Sequence, residues 1–171
     1  MLSLIFAGAF FLLCLFASTK DLANLTIPNW VNAGFLLLFF PAAIFAGLNP
    51  ETIGWHVLIG FTALVIGFIL FSLNLFGGGD AKMIPGVLLW VGPAGGFDFL
   101  MGTALAGGAL AVAVLAARKT IPEPLAPGFV RATMQEGAGV PYAIAITVGA
   151  FVAAPASPLL TEFLNQFSSF H

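Results

Sequence analysis

Charge is scarce in this 171-residue sequence: five Lys and Arg and seven Asp and Glu make up 7% of the residues. An ordinary soluble domain carries about 25%, so a water-exposed globule of this size could not cover its surface. Cysteine occurs once, as Cys14 inside an apolar run, which excludes a disulfide framework and a CxxC metal site. Cys14 reads as a small apolar residue facing lipid or another helix. Of the two histidines, His56 stands at the edge of an apolar run and His171 is the last residue. They read as interfacial and tail residues, and no metal site is expected. A net charge of −2 gives no nucleic-acid footprint. The absence of polar low-complexity tracts excludes disorder.

Apolar character is abundant instead: 60% of residues are hydrophobic and the mean hydropathy is +1.09. A membrane helix needs about 20 apolar residues. Runs suited to this extend over 2–17, 30–48, 55–76, 83–93, 97–117 and 140–160. The fourth is short, and Pro85 interrupts its start. A tight turn around Gly95-Gly96 is expected to join it to the fifth. The expected fold is therefore an all-α integral membrane protein, a six-transmembrane-helix bundle in a single domain over 1–171. All five basic residues (Lys20, Lys82, Arg118, Lys119, Arg131) then fall in loops on one side, and Glu51 and Asp98 on the other. The excess of Lys and Arg in cytoplasmic loops orients both termini outside the cytoplasm. No side-chain charge precedes the first run and Lys20 follows it, so that run is expected to be a retained anchor and not a cleaved signal.

Trp30, Trp55 and Trp90 fall near expected span ends, where aromatic residues anchor at the interface. Gly102, Ala106, Ala109 and Ala113 form a small-residue stripe suited to helix packing.

Acidic residues at a membrane boundary are costly unless used. Asp21 follows the first span and Asp80 the third, and the topology puts both at similar depth on the cytoplasmic side. Two carboxylates that meet there cannot both ionise; one acts as a general base on water while the other, protonated, polarises a carbonyl. Gly77, Gly78 and Gly79 before Asp80 allow positive-φ backbone and close approach of another chain. Pro28 suits the first turn of the second span. The alternatives are a solvated boundary pair of Lys20 with Asp21, and a plain turn at the glycines.

The element Asp-Leu-x-x-Leu-x-Ile-Pro-Asn-Trp (21–30), followed about sixty residues on by Gly-x-Gly-Asp-Ala-Lys (77–82), resembles the type IV prepilin peptidases, membrane aspartyl proteases of the GxGD class. Val140-Pro141-Tyr142 resembles the opening of their last helix. The resemblance implies catalytic Asp21 and Asp80, supported by Gly77, Gly79, Lys82, Pro28 and Asn29. Lys82 either tunes the carboxylates or, the favoured role, meets lipid headgroups. Larger members carry an N-terminal extension with paired CxxC motifs linked to N-methylation. This sequence opens on a span, so methyltransferase activity is not expected and the short subclass serving Flp/Tad pili is.

The implied function is an endopeptidase of the bacterial inner (cytoplasmic) membrane. It would cut the basic leader from prepilin or pseudopilin precursors at the cytoplasmic boundary, without a cofactor. Membrane lipid and a homodimer partner are compatible with this reading. The alternative is a non-enzymatic scaffold or small carrier with structural or ion-binding aspartates, but neither internal repeats nor midplane acidic groups are seen. The polar segment from Arg118 to Gly139, with Pro122, Pro124 and Pro127, reads either as a connector or as a substrate-facing lid. In the lid reading Glu123 and Glu136 attract a basic leader.

Overall fold

A computed structural model describes residues 2–121, 124, 126–135, 137–161 and 163. Helices α1 (Leu2–Asn24), α2 (Asn29–Phe45), α3 (Pro50–Ser72), α4 (Asp80–Thr120), the one-turn α5 (Arg131–Met134) and α6 (Ala143–Ala153) follow in order, and 3₁₀ turns occupy Gly128–Val130 and Ala154–Ala156. No strand occurs among the described residues. The stretches Leu4–Asn24, Pro50–Ser72 and Asp80–Thr120 are long and apolar enough to cross a membrane, whereas Asn29–Phe45 and Ala143–Ala156 are shorter.

All six expected segments are helical, but the fourth and fifth are two limbs of α4. The break falls at Gly92 (φ 74°, ψ −176°). The expected turn at Gly95-Gly96 is therefore corrected: both glycines are buried in the second limb. A left-handed φ is open to glycine at little cost, and Pro93 cannot donate to the Leu89 carbonyl four residues back. Two side chains take over the carbonyls at the bend. His56 Nδ1 lies 2.9 Å from the Leu89 carbonyl oxygen, and Ser157 Oγ donates to the Trp90 carbonyl at 2.8 Å. Because a carbonyl only accepts, His56 carries its proton on Nδ1.

His56 and Trp90 thus correct two expectations. Both are buried, where a membrane-interface position was expected. Trp90 stacks on Phe10 at 5.0 Å and donates its indole N–H to the Phe35 carbonyl at 2.8 Å. Phe10 also meets Phe35 edge-on at 5.5 Å, so α1, α2 and α4 share one aromatic core. Trp30 and Trp55 are about half exposed. The small-residue stripe packs only in part. Gly102 lies against Gly149 and Val152, while Ala109 and Ala113 are exposed.

Adjacent segments run in opposite directions. Phe10 meets Phe35 while Phe16 meets Trp30. His56 meets Leu89 while Gly67 packs on Ala81. Along the second limb of α4, Gly95 faces Ala153 and Gly107 faces Tyr142. This alternation gathers the C-terminus of α1 and the N-termini of α2, α4 and α6 at one end of the bundle. The basic residues lie at or beyond that end. Two helices continue past it. α4 runs on from Gly107 to Thr120, about 20 Å at 1.5 Å per residue, and α3 runs past Gly67 to Ser72.

Candidate active site

Asp21 stands in the last turn of α1 and is buried, 6% exposed. Its Oδ2 accepts the backbone N–H of Ala143 at 3.0 Å. That N–H belongs to the first turn of α6, where backbone donors have no partner within the helix. The positive end of α6 therefore faces a carboxylate. Ser18, one turn before Asp21, donates to the Ala143 carbonyl at 3.0 Å and lies 2.8 Å from Thr147 Oγ1. Thr147 in turn donates to the Cys14 carbonyl at 3.1 Å. These bonds fix the register of α6 on α1, and with it the bond to Asp21.

Asp80 opens α4, half-buried. Asp80 also lines a cavity of about 370 Å³ with Leu75, Gly77, Ile84, Thr103 and Tyr142, among others. The start of α6 therefore relates to both acids: Ala143 binds Asp21, and Tyr142, the N-cap, lines the same cavity as Asp80.

The glycines serve close approach and not an unusual backbone. Positive φ occurs at Gly47, Gly92 and Gly137 and at none of Gly77, Gly78 or Gly79, which corrects the positive-φ part of the expectation. A Cβ on Gly77 would stand 3.0 Å from Asp80 Oδ2, and one on Gly79 would stand 3.1 Å from the Ile27 side chain. Ile27 belongs to the Ile-Pro-Asn element, so Gly79 is where the two sequence motifs meet. Leu25, at φ 52°, turns the chain out of α1 and into that element.

Pro28 is the N-cap of α2, one residue before the expected first-turn position. Asn29 Oδ1 accepts from Lys82 Nζ at 3.0 Å, a second link between the motifs. Lys20 places its ammonium 5.5 Å from the Phe16 ring centroid, and Asp21 is buried on the Ala143 N–H. The solvated Lys20–Asp21 boundary pair is thereby overturned. Glu123 and Glu136, expected as substrate contacts, lie outside the described residues.

Beyond α4 the polar segment is docked in place. Arg118 donates to the carbonyls of Thr133, Ala138 and Gly139 at 2.7–2.9 Å, and Thr133 Oγ1 donates to the Leu22 carbonyl at 3.0 Å. The segment is thus held against α1 one residue from Asp21. Sequence reasoning did not assign these roles to Arg118, Thr133 and Ser18, nor the anchoring role to the Ala143 N–H. Only the last left a signal, since Pro141-Tyr142 marks a helix start whose free N–H groups seek an acceptor.

Residues 8–112 match the type IV leader peptidase family. The chain belongs to this family. The match covers both aspartates and both motifs, and membership makes the chain a membrane-associated protease with prepilin-type substrates. Comparisons with curated proteins and with solved structures returned no match. Ala143, which binds Asp21, and Tyr142, which lines the cavity with Asp80, lie outside the stretch matched to the leader peptidase family.

Proposed function

We propose that the protein is an aspartic endopeptidase that removes the basic leader from type IV prepilin-like precursors of the Flp/Tad type. On this reading 1–171 acts as a single membrane-embedded peptidase domain. It crosses the inner membrane six times, with both termini outside and the Asp21–Asp80 end toward the cytoplasm. The observation that supports the proposal is that the start of α6 binds Asp21 through the Ala143 N–H and lines, through Tyr142, the same apolar cavity that Asp80 lines.

The roles follow from their surroundings. Two neighbouring carboxylates hold one proton between them. Burial works against ionisation of both carboxyls, and at Asp21 the Ala143 N–H and the positive end of α6 oppose that effect; Asp21 is therefore assigned the role of base and Asp80 the shared proton. Asp21 takes a proton from the attacking water, and Asp80 donates its own to the carbonyl oxygen of the scissile bond. The tetrahedral centre collapses as Asp21 passes the water proton to the leaving nitrogen and Asp80 takes a proton back from a hydroxyl of that centre, which restores the starting pair. Gly77 leaves the Asp80 carboxylate room beside it, and Gly79 lets Ile27 pack against the start of α4. Lys82, held by Asn29, positions the start of α4.

The test uses the purified protein in proteoliposomes with a full-length leader-bearing prepilin. Mass spectrometry of the product should show one cut at the leader junction. Intact precursor after prolonged incubation would sink the proposal.

A further inference from the structure

α4 runs on past the end of the bundle where the acids lie. Along this overhang Val114 is buried, and one turn further on stands Arg118. Its Nε and Nη2 both donate to the Thr133 carbonyl, at 2.9 and 2.7 Å. Nη2 also reaches the carbonyls of Ala138 and Gly139, at 2.9 and 2.8 Å. One guanidinium thus grips the chain at Thr133 in α5 and again at Ala138 and Gly139.

Each part of that grip supports a helix end at the site. The last carbonyls of a helix have no partner within it, and Leu22, next to Asp21, is in that position. Thr133 is buried, and its Oγ1 donates to the Leu22 carbonyl at 3.0 Å. The last turn of α1, which carries Asp21, is therefore capped from outside by a residue that Arg118 holds. Gly139 stands four residues before Ala143, whose N–H binds Asp21 Oδ2. The chain entering α6 is thus tied down just before it reaches the acid. Ser18 and Thr147 fix the same two helices on the bundle side of this bond. Arg118 closes it from the opposite side.

We propose that Arg118 is a positioning residue for the reaction: it fastens α5 and Ala138–Gly139 across the ends of α1 and α6, and so holds Asp21 on the Ala143 N–H. Only the kinetic part of this inference rests on the peptidase reading. A planar guanidinium suits the task because it offers several N–H donors in a fixed fork. Lysine presents one ammonium on a flexible stem and replaces the grip in part. Helix ends open readily where nothing holds them. Loss of Arg118 is therefore felt where Asp21 works, in the chemical step and not in substrate affinity.

Arg118→Gln, Arg118→Lys and Thr133→Val test this in the full chain in proteoliposomes, by two readouts. Amide hydrogen exchange needs no substrate. Arg118→Gln should speed it at least tenfold over both 21–25 and 140–146, and Thr133→Val over 21–25 alone. On a leader-bearing prepilin, Arg118→Gln should lower kcat about tenfold with KM unchanged, because small misplacements at a reacting centre are costly. Arg118→Lys should recover part of that loss. Added to Asp21→Asn, Arg118→Gln should slow the reaction no further, because it acts through that carboxyl. Wild-type exchange over both stretches in Arg118→Gln removes the brace. Faster exchange with an unchanged kcat, or a loss that adds to that of Asp21→Asn, makes Arg118 merely structural and overturns the proposal. Should Arg118→Gln fail to fold, Thr133→Val decides by the same two readouts, with kcat expected several-fold lower. A wild type that cuts nothing overturns the peptidase reading, and exchange alone then decides the brace.

Discussion

Asp21 Oδ2 accepts the backbone N–H of Ala143 at 3.0 Å, which joins the end of α1 to the start of α6 across 122 positions of chain. This bond holds the carboxylate away from water and gives it a fixed donor. Tyr142, the residue before Ala143, lines the same cavity as Asp80, so a single helix start is common to both sides of the site. The register of that helix depends on Ser18 and Thr147. Ser18→Ala should therefore lower kcat several-fold while leaving KM and membrane insertion unchanged, as steady-state kinetics on a leader-bearing peptide will show.

Activity should follow a bell-shaped pH profile. On the acid side both carboxyls are protonated and no base remains; on the alkaline side both are ionised and no acid remains. The two limbs belong to the pair and not to either residue. A kcat/KM profile with one limb only would show that a single carboxyl does the work.

Gly77 and Gly108 make a matched pair. A Cβ at Gly77 would stand 3.0 Å from Asp80 Oδ2, whereas at Gly108 nothing lies within 4 Å. Gly77→Ala should cut kcat at least tenfold by displacing the carboxylate, because small misplacements at a reacting centre are costly. Gly108→Ala should leave the rate unchanged. Equal rates for the two variants would remove Gly77 from the site.

The bend in α4 should be the most sensitive part of the fold. Ser157→Ala leaves the Trp90 carbonyl without its side-chain donor, a loss of about 1–3 kcal/mol. Gly92→Ala should cost more, since φ is 74° there and the new Cβ would collide with the His56 ring. Gly54→Ala, mid-helix in α3 with nothing within 4 Å, should be neutral or stabilising. Unfolding midpoints of the three variants in detergent check the order.

Much of this was legible in the sequence because lipid-sized apolar runs are long and charges are few. The six helical segments follow from run length. The two aspartates stand out because acids are rare here. Positions set by tertiary packing were less legible. Trp90 and His56 look like interface residues by type and place. They are buried because Gly92 and Pro93 break α4 early and leave carbonyls that need donors. The glycines before Asp80 suggested a special backbone, yet their use is steric, against Asp80 and Ile27.

The central claim is that Asp21 and Asp80 act as one catalytic unit, and single and double variants on a leader-bearing prepilin measure it most directly. Asp21→Asn and Asp80→Asn should each lower kcat by about 10²–10⁴, the usual worth of a positioned acid or base. The double variant should be no slower than the worse single one, because residues that act together lose their function together. All three should retain wild-type helix content and unfolding midpoints within a few degrees. Near-normal turnover by either single variant at saturating substrate would contradict the account.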